Sequence, residues 1–223
     1  MKAPEWTQRL GVQTILWGED FPEGLDATLQ TIQRLGFKGV EFAQVPSKLG
    51  EPERLEDTLR AHDLTLLGLA GGSLKTRLAY CERLRTQPLY LYVQAWDPDV
   101  APAALAAGHT LALHPHQYTP IDDCERARRE LQKTTSERFL LLPDTAHLFL
   151  ATGKKLREAL AEADEYQDRF EVVHLKDWTP DFGWSMFTYA RGFTELGQGI
   201  VPLDDTWPWL KRWLQTNGRS LTI

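Results

Sequence analysis

Four of the six histidines in this 223-residue chain stand in short polar patterns that could do chemistry together with one aspartate. HPH contains His114 and His116, DTAH joins Asp144 to His147, and HLKD begins with His174. Imidazole nitrogens and a carboxylate are ligand types that divalent metals accept in proteins. We therefore predict one divalent metal, Zn²⁺, Mn²⁺, Co²⁺ or Mg²⁺, with His114, His116, Asp144 and His174 as candidate ligands.

Each of these residues also has a plain structural interpretation. A histidine at the end of a strand can be a hydrogen-bonded pocket residue, and Asp144 can cap the turn before the next helix. His174 shares a predicted strand face with Lys176 and lies one strand from Asp144, which favours a shared site. Both interpretations stay open for every candidate at this point.

The apolar runs that precede these patterns predict how the polar residues are positioned. FLLLPDTAH, residues 139–147, is a short apolar run that stops at Asp144, as in a buried strand of a parallel sheet. Along 110–116, large apolar residues alternate with His114 and His116, so the histidines share the polar face. The polar side chains collect at the carboxyl ends of the predicted strands.

Strand and helix patterns alternate along the whole chain. The predicted strands lie at 11–17, 39–44, 64–70, 89–96, 110–116, within 139–147, and at 170–176 and 220–223. The predicted helices lie at 22–36, 51–62, 74–84, 101–107, 121–134, 154–166 and 203–216. Such alternation predicts an α/β fold with a parallel sheet and right-handed crossovers.

Two architectures fit this alternation. An open doubly wound sheet usually carries a glycine-rich phosphate turn after its first strand, and residues 17–24 contain none. Eight strands instead favour a closed (β/α)₈ TIM barrel, whose active site lies at the carboxyl ends of the strands. We predict a single domain over residues 1–223, small for this fold and with a truncated eighth unit, because no helix follows 220–223.

Composition argues against several classes of partner. With 25 basic and 31 acidic residues the net charge is −6, so no basic surface is expected for nucleic acid. Cys81 and Cys124 show no metal or disulfide spacing and are expected to be reduced thiols. No signal peptide and no run of about 18 apolar residues is present, so we expect a cytoplasmic protein with no membrane partner.

Three further residues could belong to a site or to the core. Glu41 is a predicted inward carboxylate on the second strand, which needs a hydrogen-bonding partner such as a histidine or else serves as an acid or base. Trp17 and Trp96 stand at strand ends, where they could stack on a sugar ring or simply fill the core. We keep Glu41 as a catalytic candidate and both tryptophans as substrate-binding candidates.

A long aromatic and glycine-bearing loop, 178–199, is predicted at the active end, where it could form a lid or a pocket wall. Arg191 within it could hold an anionic or hydroxyl-rich substrate, and Glu195 could act as a base. Both residues could equally be surface charges.

Five segments in fixed order carry a resemblance to a known family: GVEF, HPHQYTPIDD, LLLPDTAHLFLATG, VHLKDW and GFTELGQGIVPL. Together they resemble the xylose isomerase-like TIM barrel superfamily, and in particular sugar phosphate isomerases/epimerases including inosose dehydratases. DTAH and HLKD are the most specific pieces. The resemblance implies a metal-dependent isomerase or epimerase, or an inosose-type dehydratase, that takes a small carbohydrate or polyol substrate through an enediolate. The resemblance also implies a homodimer formed through the loops at the active end.

The resemblance assigns roles residue by residue. Members of the family bind one divalent metal through a carboxylate, an aspartate, a histidine and a glutamate at the ends of strands five to eight. Asp144 and His174 match the aspartate and the histidine. His147 matches a histidine that contacts substrate oxygens, and Lys176 matches the lysine of the HxKD segment, so both are catalytic candidates beside Glu41.

The chain also departs from the family pattern. His114 or His116 stands where epimerases have a glutamate ligand, and the expected glutamate base falls near Thr119 or Pro120. The sequence ends at Ile223, in the predicted eighth strand, before the last glutamate. A non-catalytic barrel that binds a small polyol or a protein partner is therefore the alternative. An endonuclease IV-like activity is disfavoured by the negative charge and the few ligands.

Overall fold

Short buried strands alternate with amphipathic helices in the computed structural model, which describes residues 10–18, 20–152, 156, 158, 169, 172–217 and 220–222. The strands are β1 Leu10–Gln13, β2 Gly39–Phe42, β3 Thr65–Leu69, β4 Tyr90–Val93, β5 Leu111–Leu113, β6 Phe139–Leu141, β7 Val172–His174, β8 Asp177–Trp178, β9 Phe193–Thr194 and β10 Ser220–Thr222. The helices are α1 Leu25–Arg34, α2 Pro52–Ala61, α3 Leu74–Cys81, α4 Ala101–Ala106, α5 Cys124–Leu131, α6 Thr145–Thr152 and α7 Leu203–Asn217.

The described residues divide into two compact units. The first comprises those within Met1–Val93, Asp97–Ala112 and Thr222–Ile223. In it β1 pairs with β2, β2 with β3 and β3 with β4, and every pair is parallel. The amide of Leu91 donates to the carbonyl of Thr110, which continues the sheet towards β5. The parallel arrangement that the alternation predicted is therefore present in this unit.

The second unit comprises the described residues within Gln94–Trp96 and Leu113–Leu221. Here the amide of Leu142 donates to the carbonyl of Leu113, and the amide of His174 donates to the carbonyl of Pro143. Asp144 and His174 form a parallel bridge. The carboxyl ends of β5, β6 and β7 consequently lie side by side.

Local sequence explains where several helices begin. Asp123 accepts from the amide of Arg126 and so caps α5, while Ser73 accepts from the amide of Thr76 and caps α3. Pro52 occupies the first turn of α2, where the missing amide proton costs nothing. These residues fix the points at which α2, α3 and α5 begin.

The helices bury one face against the strands. Leu29 and Ile32, one turn apart on α1, are both fully buried, as the helical period of apolar residues predicted. Burial of an aliphatic side chain of this size contributes about 1.5–3 kcal/mol to folding. Cys81 and Cys124 are also buried and form no disulfide in the described part of the chain.

Several predicted boundaries were wrong. The strand predicted at 11–17 ends at Gln13, and Thr14–Trp17 forms a 3₁₀ turn. The strand predicted at 110–116 covers only Leu111–Leu113. The prediction also missed α6, since residues Thr145–Phe149 are all buried and show no helical period. The long loop predicted at 178–199 carries a short antiparallel hairpin, in which β8 pairs with β9 and two 3₁₀ turns, Pro180–Phe182 and Tyr189–Gly192, lie between the two strands.

Some predictions fall on residues that the structure does not describe. Apart from Leu156 and Glu158, which are helical, the helix predicted at 154–166 lies outside the described residues, as does the beginning of the strand predicted at 170–176. The single domain over 1–223 stays a prediction. Within the described part, no helix is both long and apolar enough to cross a membrane.

Candidate metal centre and active site

Three of the predicted ligands come together in the second unit. One ligand atom from each of His114, Asp144 and His174 lies within 4.8 Å of the other two, and all three residues are buried. His114 Nε2 is 3.4 Å and His174 Nδ1 is 3.6 Å from Asp144 Oδ2. The geometry therefore offers two imidazole nitrogens and one carboxylate oxygen around a single point.

The strands explain this convergence. His114 directly follows β5, Asp144 follows β6 after Leu142 and Pro143, and His174 ends β7. Because parallel strands lie about 4.8 Å apart, side chains at equal height on neighbouring strands meet. The parallel bridge between Asp144 and His174 sets that equal height.

The two carboxylate oxygens of Asp144 face different partners. Its Oδ1 accepts from the amides of Ala146 and His147, both at 3.0 Å, and so caps α6. Its Oδ2 faces the imidazoles of His114 and His174. The cap fixes the carboxylate plane, so that one oxygen is held towards the cluster.

The donor set fits a divalent metal. Ligand atoms at about 2.0–2.1 Å from Zn²⁺ are about 3.4 Å apart in a tetrahedral arrangement. The distances from Asp144 Oδ2 to the ring nitrogens of His114 and His174, 3.4 and 3.6 Å, agree with that spacing. Nitrogen and oxygen donors of this kind suit Zn²⁺, Mn²⁺ or Co²⁺.

The charge states also suit a metal. Burial alone would raise the pKa of the Asp144 carboxyl, but His147, Lys176 and the imidazoles of His114 and His174 outweigh burial and hold that pKa well below its usual range. Burial lowers the pKa of His114 to about 4, against the opposing pull of Asp144. An ionised carboxylate beside a neutral imidazole is the form that binds metal.

Lys176 lies at the edge of the cluster. Its Nζ is 3.2 Å from Asp144 Oδ2, and the side chain is 17% exposed. The same nitrogen lies 5.4 Å from the centroid of the Phe193 ring. Thr145 holds the lysine backbone, because its hydroxyl accepts from the amide of Lys176 at 2.9 Å and donates to its carbonyl at 2.7 Å.

His147 is buried beside the three predicted metal ligands. Its Nε2 lies 3.8 Å from Asp144 Oδ2, while its Nδ1 pairs with the side-chain oxygen of Gln117. Burial lowers the pKa of His147 well below its usual value, so the ring is neutral near pH 7. Gln117 thus leaves Nε2 as the ring atom directed to the cluster.

His116 lies beside the three-residue cluster. Its Nδ1 donates to the carbonyl of Gln117 at 2.8 Å, and its Nε2 is 3.4 Å from the hydroxyl of Tyr189. Its ring packs on that of His147, with 4.0 Å between centroids. These contacts engage both ring nitrogens of His116 with Gln117 and Tyr189, and the predicted role of His116 as a ligand is less well supported than that of His114.

Sequence reasoning missed several residues of this site, namely Gln117, Thr145, Tyr189 and Phe193. Gln117 and Thr145 lie inside HPHQY and DTAH, so their place in those motifs was the available signal. Tyr189 and Phe193 lie in the segment predicted as a pocket wall. Their rings pack on His116 at 5.8 Å and on His147 at 5.4 Å respectively.

Glu41, the third catalytic candidate, is fully buried in the first unit. Its carboxylate accepts from the side-chain Nε2 of Gln13 and from the hydroxyl of Tyr90. A buried carboxylate with two such donors satisfies the structural interpretation. Its catalytic role stays a prediction.

The four substrate-binding candidates have less definite surroundings. Trp96 packs on Phe139 with 5.3 Å between centroids, and Trp17 ends the 3₁₀ turn after β1. Arg191 is exposed and lies over the ring of Phe182. Glu195 is exposed too. Substrate binding by these four residues remains untested.

Comparison with known proteins assigns the fold. The family model described as xylose isomerase-like TIM barrel matches residues 92–218. The inosose dehydratase of Erwinia tasmaniensis is 26% identical over 163 residues, which are 66% of this chain and 54% of the relative, so the match spans about half of that protein.

Two solved structures illustrate the likeness. The IolI protein with a bound zinc atom shares 18% identity at a TM-score of 0.68, covering 96% of this chain and 87% of that one. D-psicose 3-epimerase with D-tagatose, from Clostridium cellulolyticum H10, shares 13% identity at a TM-score of 0.65, covering 96% and 84%. The likeness confirms the predicted α/β TIM-barrel class. With its family model matched over more than half of its length, the chain belongs to the xylose isomerase-like TIM barrel family.

Proposed function

We propose that this protein is a divalent-metal-dependent enzyme that isomerises, epimerises or dehydrates a small polyhydroxylated ketone, such as a ketose or an inosose. The observation that carries the proposal is the buried cluster of His114, Asp144 and His174 with Lys176 at its edge. The similarity to an inosose dehydratase and to a ketose epimerase supports this substrate class.

His114, Asp144 and His174 would hold the metal. When bound, a divalent cation supplies Lewis acidity that polarises a carbonyl and an adjacent hydroxyl, which acidifies the neighbouring C–H bond. The buried carboxylate of Asp144 provides the negative charge that retains the cation. The remaining residues supply proton transfer and orientation.

His147 is placed to accept the proton. It is neutral, and its Nδ1 is occupied by Gln117, so Nε2 is the atom available to a substrate. Removal of the proton from the carbon next to the carbonyl leaves an enediolate on the substrate and an imidazolium on His147. In an isomerisation the imidazolium returns its proton to the other carbon, while the hydroxyl proton passes from one substrate oxygen to the other and a new carbonyl forms. In an epimerisation the proton returns to the other face of the same carbon through substrate movement.

Lys176 is placed to stabilise the oxygen that gains charge. Its ammonium, held by Asp144 and by the Phe193 ring, carries three donors. In the dehydration variant of the reaction, Lys176 would donate a proton to the departing hydroxyl, which leaves as water. Tyr189 and Phe193 cover His116 and His147 and limit the access of water.

Metal binding followed by a substrate panel tests the proposal. Purified protein should hold about one equivalent of divalent metal, or should gain thermal stability when Zn²⁺, Mn²⁺, Co²⁺ or Mg²⁺ is added. The metal-loaded protein is then incubated with ketoses and inososes, and products are separated by chromatography. Absence of bound metal together with an unchanged melting temperature would end the enzymatic interpretation.

A non-catalytic polyol binder is the second candidate. Two observations favour it: Asp144 is the sole carboxylate in the cluster found within the described residues, and Thr119 and Pro120 stand near the expected base. The hydroxyl of Thr119 is engaged with the carbonyl of His116. Calorimetry that shows polyol binding to the metal-loaded protein, with no product from the same compound, would favour this candidate.

A further inference from the structure

Asp177, the residue after Lys176, has no role in the site described above, yet its carboxylate is almost fully buried. Oδ1 accepts from the amides of Trp178 at 2.8 Å and Val201 at 3.1 Å, and Oδ2 accepts from the amides of Gly197 and Gly199, both at 2.9 Å. Four backbone donors therefore converge on one side chain. Hydrogen bonds to a charged acceptor are about twice as strong as neutral ones.

The GQG motif explains how the backbone comes so close. A Cβ atom added at Gly199 would lie 2.2 Å from Asp177 Oδ1 and 2.5 Å from the carbonyl oxygen of Trp178. No side chain fits in that space without displacement. Gly199 is consequently required for the segment 195–201 to wrap around Asp177.

Trp178 extends the same anchoring to the rest of the hairpin. Its indole Nε1 donates to the carbonyl of Tyr189 at 2.8 Å, and its carbonyl accepts from the amide of Ile200 at 2.8 Å. In the antiparallel pair of β8 and β9, Trp178 stands opposite Phe193. The side chain of Trp178 is fully buried, and its ring lies 4.5 Å from that of Trp184 in the same segment.

The anchored hairpin carries two aromatic rings to the proposed active site. The Tyr189 ring lies 5.8 Å from that of His116, and the Phe193 ring lies 5.4 Å from that of His147. Phe193 also lies 5.4 Å from the ammonium of Lys176. The segment that Asp177 binds therefore also contacts His116, His147 and Lys176.

We propose that Asp177 is a positioning residue that holds the segment 177–201 as the pocket wall above Lys176 and His147, and so controls how substrate is held rather than whether metal binds. The predicted effect on substrate binding rests on the proposed function. The predicted effect on the position of segment 177–201 rests only on the hydrogen bonds of Asp177 and the packing of Tyr189 and Phe193.

If Asp177 instead stabilised the whole protein, its replacement would increase amide exchange throughout the chain. If Asp177 anchors segment 177–201, its replacement increases amide exchange in that segment alone. The ligands His114, Asp144 and His174 lie outside 177–201, so the anchor can be removed without touching them. Metal binding therefore separates the two cases.

The test uses Asp177→Asn, which keeps the size of the side chain but presents an amide group to the Gly197 and Gly199 donors. Asp181→Asn is the matched control, because Asp181 is an exposed carboxylate of the same segment. Gly199→Ala is the second variant, which keeps the carboxylate but displaces the backbone around it. Each protein is examined without and with added Zn²⁺, by amide hydrogen exchange and by reaction of lysines with an amine-reactive reagent.

In Asp177→Asn and Gly199→Ala, amides of 178–201 should exchange on the order of tenfold faster, as expected when charge-assisted bonds are lost. Lys176 should react faster by a similar factor relative to Lys75, which is already exposed. The Zn²⁺-induced rise in melting temperature should match the wild type. Asp181→Asn should change none of these quantities.

Unchanged exchange and unchanged Lys176 reactivity in both variants would overturn the proposal, as would a uniform increase in exchange across the protein. If Asp177→Asn fails to fold, Gly199→Ala decides by the same criteria. With a substrate identified, both variants should raise KM about tenfold or more with a smaller change in kcat. Failure of the wild type to bind metal would instead count against the proposed function, since exchange and lysine reactivity report on the wall alone.

Discussion

The ammonium nitrogen of Lys176 lies 3.2 Å from Oδ2 of Asp144, the oxygen that also faces the imidazoles of His114 and His174. One carboxylate oxygen therefore links the proposed acid to the proposed metal ligands. Since the other oxygen caps α6, the whole arrangement depends on the orientation of a single buried side chain.

The two oxygens of Asp144 can be separated by substitution. Asp144→Asn can keep the Oδ1 acceptor for the α6 cap but loses the charge, whereas Asp144→Ala loses both. We expect both variants to lose the metal-induced rise in melting temperature. We also expect Asp144→Ala to be less stable than Asp144→Asn by about 1 kcal/mol, the usual contribution of a helix cap, measured by urea unfolding without metal. Equal metal response in Asp144→Asn and wild type would contradict this assignment.

The histidines should divide into ligands and neighbours. His114→Ala and His174→Ala should each lower Zn²⁺ affinity by at least about 100-fold, because each removes one of three protein ligands. His116→Ala should change affinity much less, since its ring nitrogens contact Gln117 and Tyr189. Isothermal titration with Zn²⁺ measures all three. A loss in His116→Ala as large as that in His114→Ala would restore His116 as a ligand.

Lys176 should serve turnover rather than metal binding. In Lys176→Ala we expect kcat to fall about 100-fold or more on a verified substrate, the usual effect of losing an acid–base group, with Zn²⁺ affinity within a few-fold of wild type. Lys75→Ala, at an exposed position, is the control. Unaltered kinetics in Lys176→Ala would remove this residue from the reaction.

Stability at low pH should depend on a buried carboxylate in the first unit. Burial of Glu56 would by itself raise its pKa, but hydrogen bonds from Arg85 and the Thr86 amide outweigh burial and lower the pKa below the ordinary value of 4.5. A lowered folded-state pKa means that the unfolded chain binds the proton more readily. The stabilisation is thus present above about pH 4.5 and is lost as pH falls through the folded-state pKa.

Glu56→Gln should therefore lower the free energy of unfolding by about 1–2 kcal/mol near pH 7. The difference from wild type should shrink towards about pH 3. Urea unfolding at a series of pH values measures this, with the exposed Glu137→Gln as control. A difference that stayed constant with pH would show that the carboxylate charge is not its source.

The convergence of Asp144 and His174 could be predicted from sequence, because each stands at the carboxyl end of an apolar run and parallel strands bring such ends together. The position of His116 outside the cluster of His114, Asp144 and His174 could not be predicted from sequence. Alternation along 110–116 assumes a strand up to His116, but β5 ends at Leu113. His114 directly follows the strand and still obeys the face pattern, whereas His116 lies further along the loop, where the alternation of strand faces no longer applies.

Helix α6 and the hydrogen bonds of Asp177 were not predicted from sequence, for related physical reasons. Helix α6 is buried on most sides, so its sequence has no polar face to give a helical period. The bonds of Asp177 to Gly197 and Gly199 join residues 20 and 22 positions apart. Such contacts follow from how the hairpin folds and leave no periodic signal, although Asp177 belongs to the specific HLKD motif and both glycines lie within GFTELGQGIVPL.

Anomalous diffraction at the zinc edge, from crystals grown with Zn²⁺, would reveal a metal held by His114, Asp144 and His174. We expect a single strong peak at about 2.0–2.2 Å from His114 Nε2, Asp144 Oδ2 and His174 Nδ1. Crystals that show no peak there, or a peak bound only by other residues, would contradict the proposed metal site.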